Sequence, residues 1–249
     1  MITNAASGTT LHEIAPGFYR INTPVRIAGG PDFNFNQYLV DDDEPLLFHT
    51  GPRRMFPLVA EAIGAVLPVE RLRYVAFSHF EADECGALND LLAAAPHATA
   101  VCSRVAAMVS IDDVAVRPAR ALADGDVLIT GRNAFRWFDT PHVPHGWECG
   151  FMMEMTSHTL LCGDLFTQGG SGHAPVTDRD ILGPSEAFRG AMDYYAHAPN
   201  TAFSLERLAR EKPTTLACMH GSAWQGDGAA LLRALARSLA APAELALAA

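Results

Sequence analysis

The segment His79-Phe80-Glu81-Ala82-Asp83 places one imidazole and two carboxylates within five residues. It follows Leu72-Arg73-Tyr74-Val75-Ala76-Phe77, an apolar run of strand length containing β-branched and aromatic residues. It precedes Gly86-Ala87-Leu88-Asn89-Asp90-Leu91-Leu92-Ala93-Ala94, which is rich in helix formers. A tight loop between a strand end and a helix can aim three side chains at one point. One neutral nitrogen donor and two anionic oxygen donors then converge, and a cation makes that arrangement cheap. Taken alone, the same pattern also suits a polar surface turn.

Three later positions share its strand-end character. His145 lies in Thr140-Pro141-His142-Val143-Pro144-His145-Gly146-Trp147, after the apolar run Ala134-Phe135-Arg136-Trp137-Phe138. Asp164 follows Thr159-Leu160-Leu161-Cys162-Gly163, and His220 follows Thr214-Thr215-Leu216-Ala217-Cys218-Met219 and precedes Gly221. A single such residue is more often structural than a ligand. Four such loops in one chain point to a shared metal site.

With these residues in this order, the sequence resembles the metallo-β-lactamase superfamily over nearly the whole chain. More narrowly it resembles the diiron branch, the flavodiiron proteins and the stand-alone oxygen-binding diiron proteins. That branch carries Glu where the hydrolase HxHxDH motif has its second His, as Glu81 does here. The eighteen residues between His145 and Asp164 match the family spacing. Asn34-Phe35-Asn36-Gln37-Tyr38-Leu39 resembles its early strand, and His220-Gly221-Ser222-Ala223-Trp224 its last metal loop. The resemblance implies an α/β fold, an αββα sandwich of two mixed sheets flanked by helices. It also implies that His79, Glu81 and His145 bind one metal, that Asp83 and His220 bind the other, and that Asp164 bridges them.

In that pattern three carboxylates set −3 against the +4 of two divalent ions, leaving room for a hydroxide or oxo bridge. Hard oxygen donors favour the charge reached on oxidation, whereas an imidazole-rich set suits zinc. Glu81 therefore biases the site towards two iron ions, with two zinc ions as the alternative. Two irons would bind or reduce O2, as an oxidoreductase or an oxygen sensor. Two zincs would activate water against an ester, lactone or thioester. His142 is assigned beside the metals, as a proton donor to bound oxygen, with a plain structural role as the alternative.

Two departures from the family stand out. Glu84 occupies a position where many members carry His, and it could ligate the second metal, leave that position to water, or start the helix. The last is preferred, because an acid suits the positive end of the helix dipole. The flavodiiron enzymes also append a flavodoxin-like domain. Residues 1–249 are expected to form a single metallo-β-lactamase-like domain with no residues over for one, so electrons would come from a separate donor protein.

The 249 residues carry a net charge of −10 and no Lys/Arg-rich stripe, which argues against nucleic acid. Arg117, Arg120 and Arg132 read as a solvated face. Five cysteines, odd in number and without a CxxC, do not form a disulfide framework and suit a reducing compartment. Cys85, Cys162 and Cys218 lie near the proposed ligands, but a buried small hydrophobe is the default for each. The polar start Met1-Ile2-Thr3-Asn4 shows no signal peptide, and no apolar run approaches the roughly 20 residues needed to cross a bilayer. A cytoplasmic location without membrane partners follows; a homodimer is left open. His49, His173, Trp147 and Trp224 are weaker pocket candidates, with packing the default for each. The loop Thr167-Gln168-Gly169-Gly170-Ser171-Gly172-His173 lacks the Lys of a phosphate loop and reads as a flexible loop beside the metal site.

The remaining pattern predicts strands at Phe18–Ile21, Gln37–Val40 and Leu46–Phe48, and a helix from Pro57 to Leu67. Strand and helix then alternate to Ala107, and strands dominate from there to Leu165. Helices are predicted at Ser185–Ala196, Ser204–Arg210 and Gly228–Leu239. This order points to two packed sheets with helices outside.

Overall fold

The computed structural model describes residues 1–30 and 32–240, so the expected 1–249 domain extends beyond the described residues. The first sheet contains β1 (Ile2–Asn4), β2 (Thr9–Ala15), β3 (Phe18–Val25), β4 (Phe33–Val40), β5 (Leu46–Phe48), β6 (Tyr74–Ala76), β7 (Thr99–Ser103) and β8 (Arg120–Leu122), in that spatial order. Its early strands are antiparallel, and β5 to β8 are parallel. The second sheet contains β9 (Val127–Ile129), β10 (Ala134–Asp139), β11 (Gly150–Glu154), β12 (Thr159–Leu161), β13 (Val176–Thr177), β14 (Thr215–Ala217) and β15 (Ala223–Gln225). Its spatial order is β13-β15-β14-β12-β11-β10-β9.

Successive strand residues point to opposite faces, and here both faces are covered, so the central strands are apolar throughout. Val75 and Leu47 pack under the helices Phe56–Gly64 and Leu88–Ala94, while Ala76 and Phe48 face the other sheet. Leu160 and Leu216 pack towards the helices Thr201–Arg210 and Gly228–Ala240, while Leu161 and Ala217 face inward. Trp137, Phe135 and Met152 fill the space between the sheets. The result is helix, sheet, sheet, helix, the αββα sandwich of two mixed sheets.

Strand direction decides where the site can form. β12 and β14 are parallel neighbours, with Leu161 opposite Ala217, so the loops bearing Asp164 and His220 leave side by side. β10 and β12 both run antiparallel to β11, so the loop bearing His145 leaves at the same edge. From the first sheet, β6 delivers His79.

Three expectations need correction. Residues after Ala107 first continue as helical turns, Ala107–Ile111 and Asp112–Val114, before strands resume. The helix predicted at Ser185–Ala196 spans Leu182–Met192: Asp180, one residue before the N-cap Ile181, accepts the Leu182 N–H at 2.9 Å, and Asp193 ends it with φ 45°. Arg120 and Arg132 are exposed, as a solvated face requires, but Arg117 is not part of that face. Arg117 Nη2 donates to the carbonyls of Leu92, Ala95 and Ala98 at 2.7, 3.1 and 3.0 Å, closing the end of the helix Leu88–Ala94. Arg132 pairs with Asp42 at 3.3 Å, and Arg120 lies over the Tyr74 ring at 6.0 Å. Among the described residues no helix is long and apolar enough to cross a membrane.

Candidate metal centre

Glu81 is extended, with φ −132° and ψ 166°, immediately before the helix Ala82–Cys85. Residues 78–81 bend, with the Glu81 N–H donating to His79 O at 3.3 Å, and this fold-back brings the two side chains together. The first helical turn then brings Asp83 and Glu84 round to the same cluster. Gly150 N–H donates to Ser78 O at 2.9 Å, Phe80 N–H to Glu148 Oε1 at 2.9 Å, and Thr50 N–H to Glu84 O at 2.8 Å. The loop is thus fastened by both sheets.

Close approach of the ligand loops depends on glycine. Gly163 sits at φ 48°, and a Cβ there would lie 2.9 Å from Ser78 Oγ. Its carbonyl accepts the Met219 N–H at 2.8 Å, tying the Asp164 loop to the His220 loop.

Each histidine has Nδ1 engaged, which turns Nε2 to the centre. His79 Nδ1 lies 2.9 Å from Ser78 Oγ, His145 Nδ1 2.9 Å from Tyr194 O, and His220 Nδ1 2.8 Å from Asn34 O. Outer partners of this kind fix the tautomer of a metal-binding imidazole.

The inward atoms converge in two groups that meet at Asp164. Asp164 Oδ2 lies 3.7 Å from His79 Nε2 and 3.6 Å from His145 Nε2, whereas Oδ1 lies 3.3 Å from His220 Nε2. Glu81 Oε1 is 3.1 Å from His145 Nε2, and Asp83 Oδ2 is 3.4 Å from His220 Nε2. Ligand atoms of His79, Glu81 and His145 lie within 4.8 Å of one another, as do those of His79, Glu84 and Asp164, and those of Asp83, Glu84 and His220. Among the described residues, His79 Nε2, His145 Nε2, Asp164 Oδ1 and both Glu84 oxygens are buried without a hydrogen-bond partner. Buried polar atoms are nearly always paired, so a converging set of unpaired donors fits cations between them.

Electrostatics follow from this crowding. The neighbouring His145 and His79 imidazoles hold the Glu81 carboxyl down to about 2. Burial pushes the His220 imidazolium down, but Asp164 and Asp83 outweigh it and raise its pKa to about 10. Burial, with the charges of Asp164 and Asp83 beside it, pushes Glu84 well above the usual carboxylate range.

All six sequence-derived ligand candidates, His79, Glu81, Asp83, His145, Asp164 and His220, therefore meet in one cluster. His142 does not join it. It is exposed, with φ 65° and its N–H donated to Gly146 O at 2.8 Å, so it serves the turn that presents His145. Glu84 does stand in the first helical turn, but its carboxylate is fully buried and faces the cluster, not solvent at the helix end. The cysteines are buried thiols outside the groups above; burial chiefly pushes the Cys85 thiol up to about 12, far from a thiolate. His173 bonds Gly169 O at 3.1 Å within its own loop, and Trp224 Nε1 donates to Arg179 O at 2.9 Å, both packing roles. Trp147 is 54% exposed on the His145 loop. Sequence reasoning did not assign Tyr194, whose carbonyl orients His145. Its only signal was the αL break after Met192, which no composition pattern marks.

The model of the ODP family beta lactamase matches residues 33–221, the stretch that contains every one of these ligand candidates. The chain belongs to this family. Among curated relatives, it is 26% identical over 203 residues to a rubredoxin-oxygen oxidoreductase of Megalodesulfovibrio gigas, covering 77% of this chain and 49% of the relative. It is 24% identical over 210 residues to an anaerobic nitric oxide reductase flavorubredoxin of Salmonella arizonae, covering 78% and 42%. The chain thus spans about half the length of the curated relatives it matches. Among solved structures, the flavodiiron protein from Giardia intestinalis superposes with a TM-score of 0.79 at 19% identity, over 92% of this chain and 59% of that one. In this ODP family member the αββα frame is therefore the flavodiiron core fold.

Proposed function

We propose that the chain holds two iron ions and reduces or binds a small oxidant, O2 or nitric oxide, with electrons from a separate donor protein. His79, Glu81 and His145 would hold one ion, Asp83 and His220 the other, and Asp164 both. Glu84 would add a fourth carboxylate. The observation that carries this reading is the division of Asp164, with one oxygen towards His79 and His145 and the other towards His220. Four carboxylates balance the +4 of two ferrous ions and favour oxidation beyond it. The relatives named for rubredoxin, oxygen and nitric oxide support the choice of oxidant and donor.

Ferrous ions held by these residues would supply one electron each to a diatomic oxidant. The chain's own residues do the rest. Tyr194 O, Asn34 O and Ser78 Oγ hold the three imidazoles by Nδ1. The Phe33 and Phe35 rings, centred 4.4 and 5.3 Å from the His220 ring, shield that side from water. Mixing the reduced, iron-loaded protein with oxygenated buffer in a stopped-flow spectrometer tests the reading. A new near-ultraviolet or visible band, lost in Glu81→Ala, is expected. A silent spectrum together with rapid ester or lactone cleavage by the zinc form would replace it with a hydrolase.

A further inference from the structure

His49 stands directly after β5, fully within the protein at 1% exposure, with φ 67°. A branchless glycine would adopt that backbone freely; an imidazole there costs strain that other contacts must offset. Both its nitrogens are engaged. Nδ1 lies 3.0 Å from Met219 Sδ, and Nε2 lies 3.0 Å from Ser78 Oγ. Ser78 Oγ in turn lies 2.9 Å from His79 Nδ1.

The sulfur sets the direction of this chain. A thioether accepts and cannot donate, so His49 carries its proton on Nδ1 and gives it to Met219 Sδ. His49 Nε2 is then an acceptor, and the Ser78 hydroxyl donates to it. That leaves the Ser78 oxygen to accept the His79 Nδ1–H. The lone pair of His79 is thereby confined to Nε2, the atom that faces Glu81, Glu84 and Asp164.

We propose that His49 is a positioning residue, which acts through Ser78 to fix the tautomer and ring orientation of His79 for metal. This rests on the reading of the cluster as a two-metal centre. It also gives a reason for the strained backbone at His49. The side chain reaches from the end of β5 to Ser78 beside one ligand and to Met219 beside another, His220. Loops from the two sheets are thereby set against each other.

The test uses the zinc-loaded full chain, which is diamagnetic and so independent of whether iron is the natural metal. Nitrogen-15 correlation spectra of the histidine side chains should show His49 neutral, with Nδ1 protonated and Nε2 bare. Stepwise zinc titration against a competing chelator should show two binding steps. In Ser78→Ala one of them should weaken by about 10–100-fold, the range typical for loss of an outer partner, with the other unchanged. His49→Asn, which tolerates the left-handed backbone and keeps an acceptor, should recover more affinity than His49→Leu. His49 protonated on Nε2, or both steps unchanged or equally weakened in Ser78→Ala, overturns the inference and leaves the metal centre standing. Wild-type protein that takes up fewer than two ions overturns the two-metal reading and this inference with it. If Ser78→Ala does not fold, the wild-type tautomer alone still decides.

Discussion

Asp164 and His220 face each other at 3.3 Å, Oδ1 to Nε2, because β12 and β14 run parallel and end level. The same carboxylate turns its other oxygen to His79 and His145. One side chain thus belongs to both halves of the cluster.

Asp164→Asn should therefore weaken both ions rather than one. The variant keeps the shape but removes the charge shared between the halves. The expected loss exceeds the about 10–100-fold that outer partners cost. Elemental analysis after passage over a chelating resin checks it; retention of one tightly held ion would argue against a shared ligand.

His145 and His142 provide an internal comparison. His145→Ala should lose metal, since its Nε2 is buried among Glu81 and Asp164. His142→Ala should keep the full complement, since that ring is exposed. Metal content of the two variants, purified in parallel, decides between them, and the opposite pattern would mean that the loop engages the site differently.

The fold class and all six ligand candidates were legible because each follows an apolar strand, where the chain must leave the sheet at a defined edge. The relation between edges was not legible. That β10, β12 and β14 end on one side depends on sheet order, which no local pattern encodes. Glu84 does start the helix as expected, but its inward direction was not legible: an acid in a first helical turn suits the dipole, and only tertiary packing turns it inward. His49 gave still less signal, since a lone histidine after a strand resembles any packed histidine until Ser78 and Met219 are seen against it. The helix boundary near residue 192 was missed because the αL residue there is Asp193, not glycine.

Gly163→Ala tests the close approach of the Asp164 loop to the His79 loop. The backbone is left-handed and the new methyl would meet Ser78 Oγ at 2.9 Å. A loss of about 1–3 kcal/mol in denaturant unfolding is expected, the range for a strained non-glycine residue at such a site. Unchanged stability would show that the loop can move away.

The metal-free protein should lose stability as pH rises. His220 has a folded pKa of about 10, above its ordinary value of 6.5, so its contribution is present below 6.5 and is lost as pH approaches 10. Burial holds the folded Glu84 carboxyl protonated above its ordinary 4.5, so as pH rises past that value the unfolded carboxyl ionises and folding is opposed increasingly. Glu81 acts the other way only in acid, its contribution being lost as pH falls from 4.5 towards 2. Between pH 6 and 9 the melting temperature of chelator-treated protein should therefore fall, while metal affinity rises as protons leave His220 and Glu84. Thermal melts and chelator competition across that range check both signs.

The most direct test is iron content after anaerobic reconstitution of metal-free protein with ferrous ion, read by elemental analysis. About two irons per chain in the wild type, falling sharply in Asp164→Asn, is the expected result. Little or no retained iron, while the same metal-free protein reconstituted in parallel with zinc holds about two ions, would contradict the diiron assignment and leave the αββα fold untouched.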